Sequence, residues 1–468
     1  MPDTRGLNFY RCDPNLAFTV RRYLSPDEWA KAEPVLDELG ALAGSELDEL
    51  AHEADKNPPV LRTHNRRGER VDEVVYSAAY RRMEEIAFGR FALAACSHRP
   101  GIFGFEGPVP HVVKYALTYL FAQAEFGLLC PVNMTDSLTR VLRLFAAPGI
   151  LDAYLPRLTS RDLSTLWQGA MFLTEQAGGS DVGATETVAR RVDQRSDPDL
   201  PTGLVPGVPL WRLYGDKWFC SNVDAELILT LARPEGAPAG TRGLGLFLVP
   251  RFLPDGSRNR YTINRLKDKL GTRDMASGEV TLEGALAYQI GELDRGFRQM
   301  AEMINASRLS NAVRSAGMMR RAFLESLVHA RGRRAFGQAL IEFPLMRQTL
   351  LEMLLDVEGA VAAIFYTAHQ LERADAGDTA ARRLVRILTP LLKATVTKRA
   401  RTTTGEAMEV RGGNGYIEEW VNPRLLRDSH LGSIWEGTTK IVQLDVLRAI
   451  QRQSGHEPFF SAAARRLG

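Results

Sequence analysis

The sequence predicts a mainly helical protein with a central β-domain. Three changes of texture along its 468 residues support this. Residues 1–165 read mainly as helices, with apolar positions recurring at helical steps. From residue 166 to about 293, short apolar runs of strand length alternate with turn residues. From residue 294 the helical spacing returns in long stretches. The expected domains are therefore 1–165, 166–293 and 294–468. No internal repeat or low-complexity tract is present.

In the first domain, Ser25-Pro26-Asp27-Glu28 marks a helix start: an N-cap serine, proline at the first helical position and acids in the first turn. The polar, proline-bearing stretch 57–72 reads as a surface loop. From Pro110, Val112, Leu117, Leu120, Phe121 and Phe126 fall mostly on one side of a helix, which Cys130-Pro131 is expected to interrupt. Residues 140–147 and 150–158 give two more amphipathic pieces. The middle domain offers strands over 227–232, 244–249, 261–265 and 279–282. The stretch 193–209, with its Pro, Asp and Gly, reads as a long loop. In the third domain Leu309, Val313, Gly317, Arg320 and Leu324 follow helical steps. Pro344 opens a second helix striped by Leu350, Leu354, Val357, Val361, Ile364, Ala368 and Leu371. Asp378 caps a third, through Leu384 and Leu388, in which Pro390 should introduce a kink. A bundle of long antiparallel helices is expected. Ile441, Leu444, Val446, Leu447 and Ile450 mark the apolar side of a closing helix.

Composition excludes several classes. At 45% hydrophobic and 25% charged the chain is ordinary globular material, and a net charge of +3 gives no argument for nucleic acid. The four cysteines, Cys12, Cys96, Cys130 and Cys220, form no C-x-x-C pair. This argues against a disulfide framework or zinc ribbon and suits a reducing compartment. The eight histidines show no H-x-x-x-H spacing, so no metal site is expected. No apolar run reaches the roughly 18 residues of a membrane span. The start, M-P-D-T-R-G, lacks a basic-then-apolar signal. A cytoplasmic protein is the expectation.

Four segments carry chemistry. The first is C-terminal: R-G-G-N-G-Y from Arg411, R-L-L-R-D from Arg424, and S-I-W-E-G-T-T from Ser433. Gly412, Gly413 and Gly415 allow a backbone to approach a flat or phosphorylated ligand closely. Glu436, between an aromatic and a glycine, is placed for partial desolvation. The second is M-F-L-T-E-Q-A-G-G-S-D-V from Met171, whose hydroxyls and N–H groups suit a ligand needing donors. The third is G-D-K-W-F-C-S-N from Gly215. The fourth is R-R-A-F-G from Arg333, where an arginine fork can bind phosphate bidentately; read alone it is a basic helix end.

Taken in order, these segments resemble the acyl-CoA dehydrogenase family. The resemblance implies the fold: an N-terminal helical domain, a β-barrel or sandwich domain and a C-terminal four-helix bundle. It also implies FAD and the α,β-dehydrogenation of an acyl-CoA thioester, with Glu436 as α-proton base and flavin N5 as hydride acceptor. Carried residue by residue, it places Met171, Leu173 and Thr174 at the flavin and Ser180 near the phosphates or the acyl carrier. Phe219 takes the position of an aromatic packed on the flavin, and Ser221 that of a donor near N5. Trp218 either shares the aromatic role or belongs to the core. Arg333 and Phe336 match residues that reach the flavin of a neighbouring subunit. Gly412, Gly413, Trp435 and Thr438 complete the cofactor set, and Arg308 and Gly437 join Ser180 at the substrate. Glu409 stands where glutamine is usual, so its role beside a pyrophosphate is open. Gln176 stands where proline is usual.

Within the family the AidB-like branch is nearest. C-P-V-N-M-T at Cys130, F-L-P-D-G-S-R-N at Phe252, R-L-K-D-K-L-G-T-R at Arg265, M-M-R-R-A-F at Met318 and L-D-V-L-R at Leu444 carry that resemblance. The branch is associated with the response to DNA alkylation, which gives a rival reading: a DNA-protective flavoprotein with vestigial dehydrogenation. A non-catalytic acyl-CoA binder is a third. The branch's DNA-binding region lies beyond the point where this sequence stops, so DNA binding is expected to be weak or absent. A homotetramer, and an electron-transfer flavoprotein or oxygen as electron acceptor, are further implications.

Overall fold

The computed structural model describes residues 2–193, 197 and 199–467, with the backbone alone at 465–467. The chain opens with helices α1 (Pro14–Arg21), α2 (Pro26–Ala43) and α3 (Glu46–Lys56). Ser25 starts α2 through a capping box: its hydroxyl accepts from the Glu28 N–H, and its own N–H donates to the Glu28 carboxylate at 2.7 Å. The stretch 57–72 is not the loop that its polarity suggested. It contains most of an antiparallel hairpin, β1 (Val60–His64) and β2 (Arg70–Val75). Asp72 fastens the hairpin to the β-domain: fully buried, it accepts from Arg70 at 2.9 Å and from Arg258 at 2.8 Å.

Helices α4 (Ala78–Glu84), α5 (His111–Ala122), α6 (Leu129–Phe145) and α7 (Pro148–Leu158) follow. Cys130-Pro131 does not break a helix here. It lies in the first turn of α6, where a missing N–H costs no intrahelical bond. The break falls earlier, at 123–128, where the Glu125 carboxylate accepts from the N–H groups of Gly127 and Leu128.

The middle of the chain supplies β3 (Gly169–Phe172), β4 (Val188–Arg191), β5 (Leu210–Ser221), β6 (Leu227–Pro234), β7 (Gly245–Pro250), β8 (Tyr261–Leu266) and β9 (Ser277–Ile290). Pairing runs β6–β7–β9–β5–β4 and returns to β6, so the sheet closes on itself as a barrel. β3 lies parallel on β6, and β8 lines the edge of β9. All four expected strands are present; β9 outruns its expected length because Gly278 and Gly284 do not end it. The loop expected over 193–209 carries no strand among its described residues.

The C-terminal part is built on α8 (Gly296–Gly332), α9 (Pro344–Asp375) and α10 (Thr379–Arg411). Asp378 caps α10 by accepting from Ala381 N–H at 3.0 Å. α10 continues unbroken through Pro390, packed on both α8 and α9. Three shorter helices close the chain: α11 (Val421–Gly432), α12 (Thr439–Gln453) and α13 (His456–Leu467). α12 turns Val442 and Ala449 inward, while Leu444 and Leu447 remain half exposed, so its apolar side is narrower than the sequence pattern implied. The stripes of α8 and α9 do face inward, and one core joins them to α2 and α5. Among the described residues no helix is long and apolar enough to cross a membrane.

Candidate active site

The second and third motifs meet inside the barrel wall. The N–H of Trp218 donates to the carbonyl of Thr174 at 2.8 Å, joining β5 to the end of β3. Beneath that junction Lys217 is buried and donates to Glu175 at 2.5 Å and to the Leu231 carbonyl at 3.0 Å. Glu175 also accepts from the Thr187 hydroxyl and the Glu186 N–H. The T-E of one motif and the K-W of the other are thus a buried ion pair that locks the two segments together. Burial pushes the Glu175 pKa up, but the Lys217 ammonium and these hydrogen bonds outweigh it and hold the carboxyl below its ordinary range. Next to the pair β5 carries a bulge: Lys217 lies opposite Val280, whereas Cys220 lies opposite Gly278. The extra residue turns both Trp218 and Phe219 away from the core, and Phe219 is 57% exposed. Lys267 Nζ lies 3.4 Å from the centroid of the Trp218 ring, so Phe219 is the more open of the two aromatics. Ser221 Oγ lies 3.2 Å from Ser277 Oγ on the same side of β5.

The C-terminal motif approaches this wall from the helical side. Met171, Leu173 and Trp435 pack against one shared core cluster. Glu436 and Gly437 form the turn between α11 and α12, with φ of 56° and 96°. A non-glycine residue held in the left-handed region costs about 1–2 kcal/mol, so something must hold Glu436 there. Two buried cations do. Arg308 Nε donates to the Glu436 carbonyl at 2.9 Å, and Lys393 Nζ donates to the Gly437 carbonyl. Arg308, expected among the substrate contacts, is therefore committed to the protein: its Nη1 also donates to Asp445 at 2.7 Å, and Arg386 grips the same carboxylate from its other side.

The Glu436 side chain lies among the Ser307 hydroxyl, Arg308, Arg314 and Lys393. Burial pushes its pKa above the ordinary value, against the pull of that hydroxyl and those charges. Burial likewise lowers Lys393 to about 8, with the repulsion of Arg308 adding to it and Glu436 opposing. Glu302, on α8 ahead of Arg308, lies 3.9 Å from Arg140 and belongs to a different charge group. Thr438 occupies the N-cap position of α12, yet its hydroxyl makes no capping bond. It lines a groove of about 820 Å³ with Lys398, Arg401, Ser433, Thr439 and Lys440.

The remaining site residues are not gathered here within one chain. Arg333 and Phe336 lie past the far end of α8, about 37 Å from Arg308 at about 1.5 Å of rise per residue. Both are exposed, Phe336 to 94%. Glu409, Gly412 and Gly413 are exposed at the matching end of α10, where Arg411 reaches Glu325 of α8. Gly412 has a φ of 66°, which explains its identity, and Ser180 sits on an exposed turn. Lys393, Arg314 and the Glu175–Lys217 pair escaped the sequence reading. Their signal was present: single charges inside otherwise small or apolar helical runs, and the shared T-E and K-W elements.

The donor set fits a flavin. The bulge offers an aromatic face beside the Ser221 hydroxyl, and the groove at Thr438 offers hydroxyls and cations suited to phosphate. The fold and the site together define the class, and comparison with known proteins agrees. Residues 170–285 match the model of the acyl-CoA dehydrogenase middle domain, and residues 294–451 that of its C-terminal domain. The chain belongs to the acyl-CoA dehydrogenase family. Residues 1–164 match the N-terminal domain of the adaptive response protein AidB. The putative acyl-CoA dehydrogenase AidB of Escherichia coli is 37% identical over 90% of this chain and 74% of its own length. Acyl-CoA dehydrogenase family member 11 of Caenorhabditis elegans is 33% identical over 98% of this chain and 73% of its own. The crystal structure of ACDH-11 from Caenorhabditis elegans, in complex with C11-CoA, superposes with a TM-score of 0.87 at 33% identity, covering 96% of this chain and 74% of that one.

Proposed function

We propose that this chain is an FAD-dependent acyl-CoA dehydrogenase in which Glu436 is the α-proton base. The observation that carries the reading is the Glu436 turn: a carboxylate in a left-handed conformation, fixed through its own and the next carbonyl by Arg308 and Lys393. Such a carboxylate is positioned rather than mobile, as abstraction of a weakly acidic proton requires. Its raised pKa strengthens it as a base. FAD, when bound, supplies the acceptor for the hydride that leaves the β-carbon. Met171, Leu173, Thr174, Phe219 and Ser221 form the wall against which the flavin packs, with Trp218 beside them and Trp435 facing them. Thr438 and Ser180 take its phosphates or those of the acyl carrier. Arg333, Phe336, Gly412 and Gly413 serve the cofactor of a neighbouring subunit in a homotetramer, with Glu409 turned to solvent. Gly437 leaves room for the thioester, and an electron-transfer flavoprotein or oxygen receives the electrons. The four cysteines are all free thiols, which suits the cytoplasm.

The test is anaerobic mixing of the purified yellow protein with a panel of acyl-CoAs, followed by flavin absorbance. Bleaching by at least one member is expected. The protein is expected to carry FAD as purified; no flavin absorbance even after soaking with FAD would end the proposal.

The match of residues 1–164 to AidB favours a second reading, DNA protection. Here the basic surface argues for weak binding. Arg383 pairs with Glu457, Arg386 with Asp445 and Arg399 with Asp356, so three of the cations on α10 are neutralised, while Lys398 and Arg401 belong to the groove at Thr438. The side chains of Arg465 and Arg466 lie outside the described residues. Only weak duplex binding is expected for this chain in an electrophoretic shift titration at about 0.15 M salt. Sub-micromolar binding there would put the DNA reading first.

A further inference from the structure

Arg314 is the most unusual charge in the molecule. It sits on α8 six residues beyond Arg308, is 1% exposed, and forms no ion pair among the described residues. Its guanidinium carbon lies 5.0 Å from the ring centroid of Phe126 and 5.0 Å from that of Trp435. The two rings are themselves stacked at 5.8 Å. Its one hydrogen bond is long, from Nε to the Ser310 carbonyl at 3.4 Å. Nη1 has no acceptor, and neither has the buried indole N–H of Trp435. Two buried donors without acceptors thus lie on side chains in contact with each other, one of them on the residue before Glu436.

Leaving a buried guanidinium without an anion is expensive, and cation–π contact offsets only about 2 kcal/mol of it. The acidic groups whose fields reach Arg314 do not neutralise it. Burial pushes the Cys130 thiol up to about 11, and burial together with Asp274 pushes Glu125 well above the carboxylate range; neither forms an ion pair with Arg314 among the described residues. Glu436 also lies within its field but is required for the proton.

We propose that Arg314 is a specificity-determining residue, and that with the Trp435 N–H it binds a carboxylate at the distal end of the acyl chain, making the substrate a dicarboxylic acid monothioester of CoA. This rests on the acyl-CoA reading of the site, which it narrows. A carboxylate can accept from both donors and supplies the charge that the aromatic stack lacks.

The test measures binding apart from chemistry. Matched ligands are acyl-CoA analogues with sulfur in place of the β-methylene, which cannot yield a Cα=Cβ bond. One series ends in methyl and the other in carboxylate, over lengths from glutaryl to suberyl. Dissociation constants are determined by calorimetry on the flavin-loaded protein and on R314M and R314K. The carboxylated ligand of the best length is expected to bind roughly 10- to 100-fold tighter than its methyl counterpart. R314M should lose or invert that preference, and R314K should keep part of it. Equal binding of the two series, or a preference unchanged in R314M, overturns the proposal. If R314M does not fold, R314K against the wild type decides, since a merely structural cation would leave the preference untouched. Bleaching of the flavin by ordinary acyl-CoAs, together with equal binding of the two analogue series, would defeat only the Arg314 assignment. Preferential binding of the carboxylated series without bleaching by any acyl-CoA would defeat the dehydrogenase reading and leave Arg314 standing.

Discussion

Replacing Glu436 with glutamine should leave a folded, flavin-binding protein whose reduction by acyl-CoA is slower by roughly 10²- to 10⁴-fold, the usual contribution of a general base. The amide keeps the shape of the side chain and cannot accept the α-proton. Stability should not fall. Burial raises the Glu436 pKa, so the ionised form is less favourable in the folded chain than in water, and its removal at neutral pH relieves that cost. A melting curve and a stopped-flow bleaching trace on the same sample separate the two effects. The wild-type reduction rate should rise with pH through a limb lying above the ordinary glutamate value of about 4.3. Undiminished reduction in E436Q would place the base elsewhere.

The largest effect on stability is expected at Asp136. On α6 it accepts from Lys114 Nζ of α5 at 2.6 Å, from His98 Nε2 at 2.9 Å and from the Ser97 hydroxyl at 3.1 Å. The Lys114 and Asp136 side chains are 7% and 8% exposed, so solvent screens the pair little. Asp136→Asn leaves the Lys114 ammonium buried and unpaired, at a cost of about 3–5 kcal/mol. A change of both, Asp136→Leu with Lys114→Met, should lie closer to the wild type than the single variant does. Burial alone would raise Asp136, but Lys114 and the His98 bond hold its pKa far below the ordinary value; for Lys114, Asp136 overcomes burial and holds the pKa above its own. The stabilisation from Asp136 is present above its unfolded value and disappears as pH falls below about 4; that from Lys114 is complete below about 10 and is lost as pH rises further. Burial lowers His98, so its protonation in the unfolded chain subtracts stability below about pH 6.5. Acid should therefore weaken the protein in two stages. Denaturant midpoints across that range check this; a D136N midpoint equal to the wild type would show that the pair adds nothing.

Much of the architecture was legible because it is written locally. The caps at Ser25 and Asp378 act on backbone groups three residues away, and the runs 227–232, 244–249 and 261–265 are apolar enough to be strands wherever they pair. The hairpin over 60–75 was not legible, because what makes its polar strands stable is Asp72 pairing with Arg258, far along the chain. Leu444 and Leu447 misled for the opposite reason: apolar residues at helical spacing state that a face is apolar, not that this chain covers it.

The candidate site divides along the same line. Sequence alone determined which residue types stand where: the turn chemistry of W-E-G-T, the hydroxyls of the T-E and S-N segments, and the arginine after α8. Only the tertiary structure decided how Glu436 is held, because Arg308 reaches it across 128 positions and Lys393 reaches Gly437 across 44. It also decided that Arg314 has no ion-pair partner among the described residues. A charge in a sequence carries no record of its distance to the opposite charge, nor of the water it has lost, and those two quantities set both the strength of a buried ion pair and the cost of its absence.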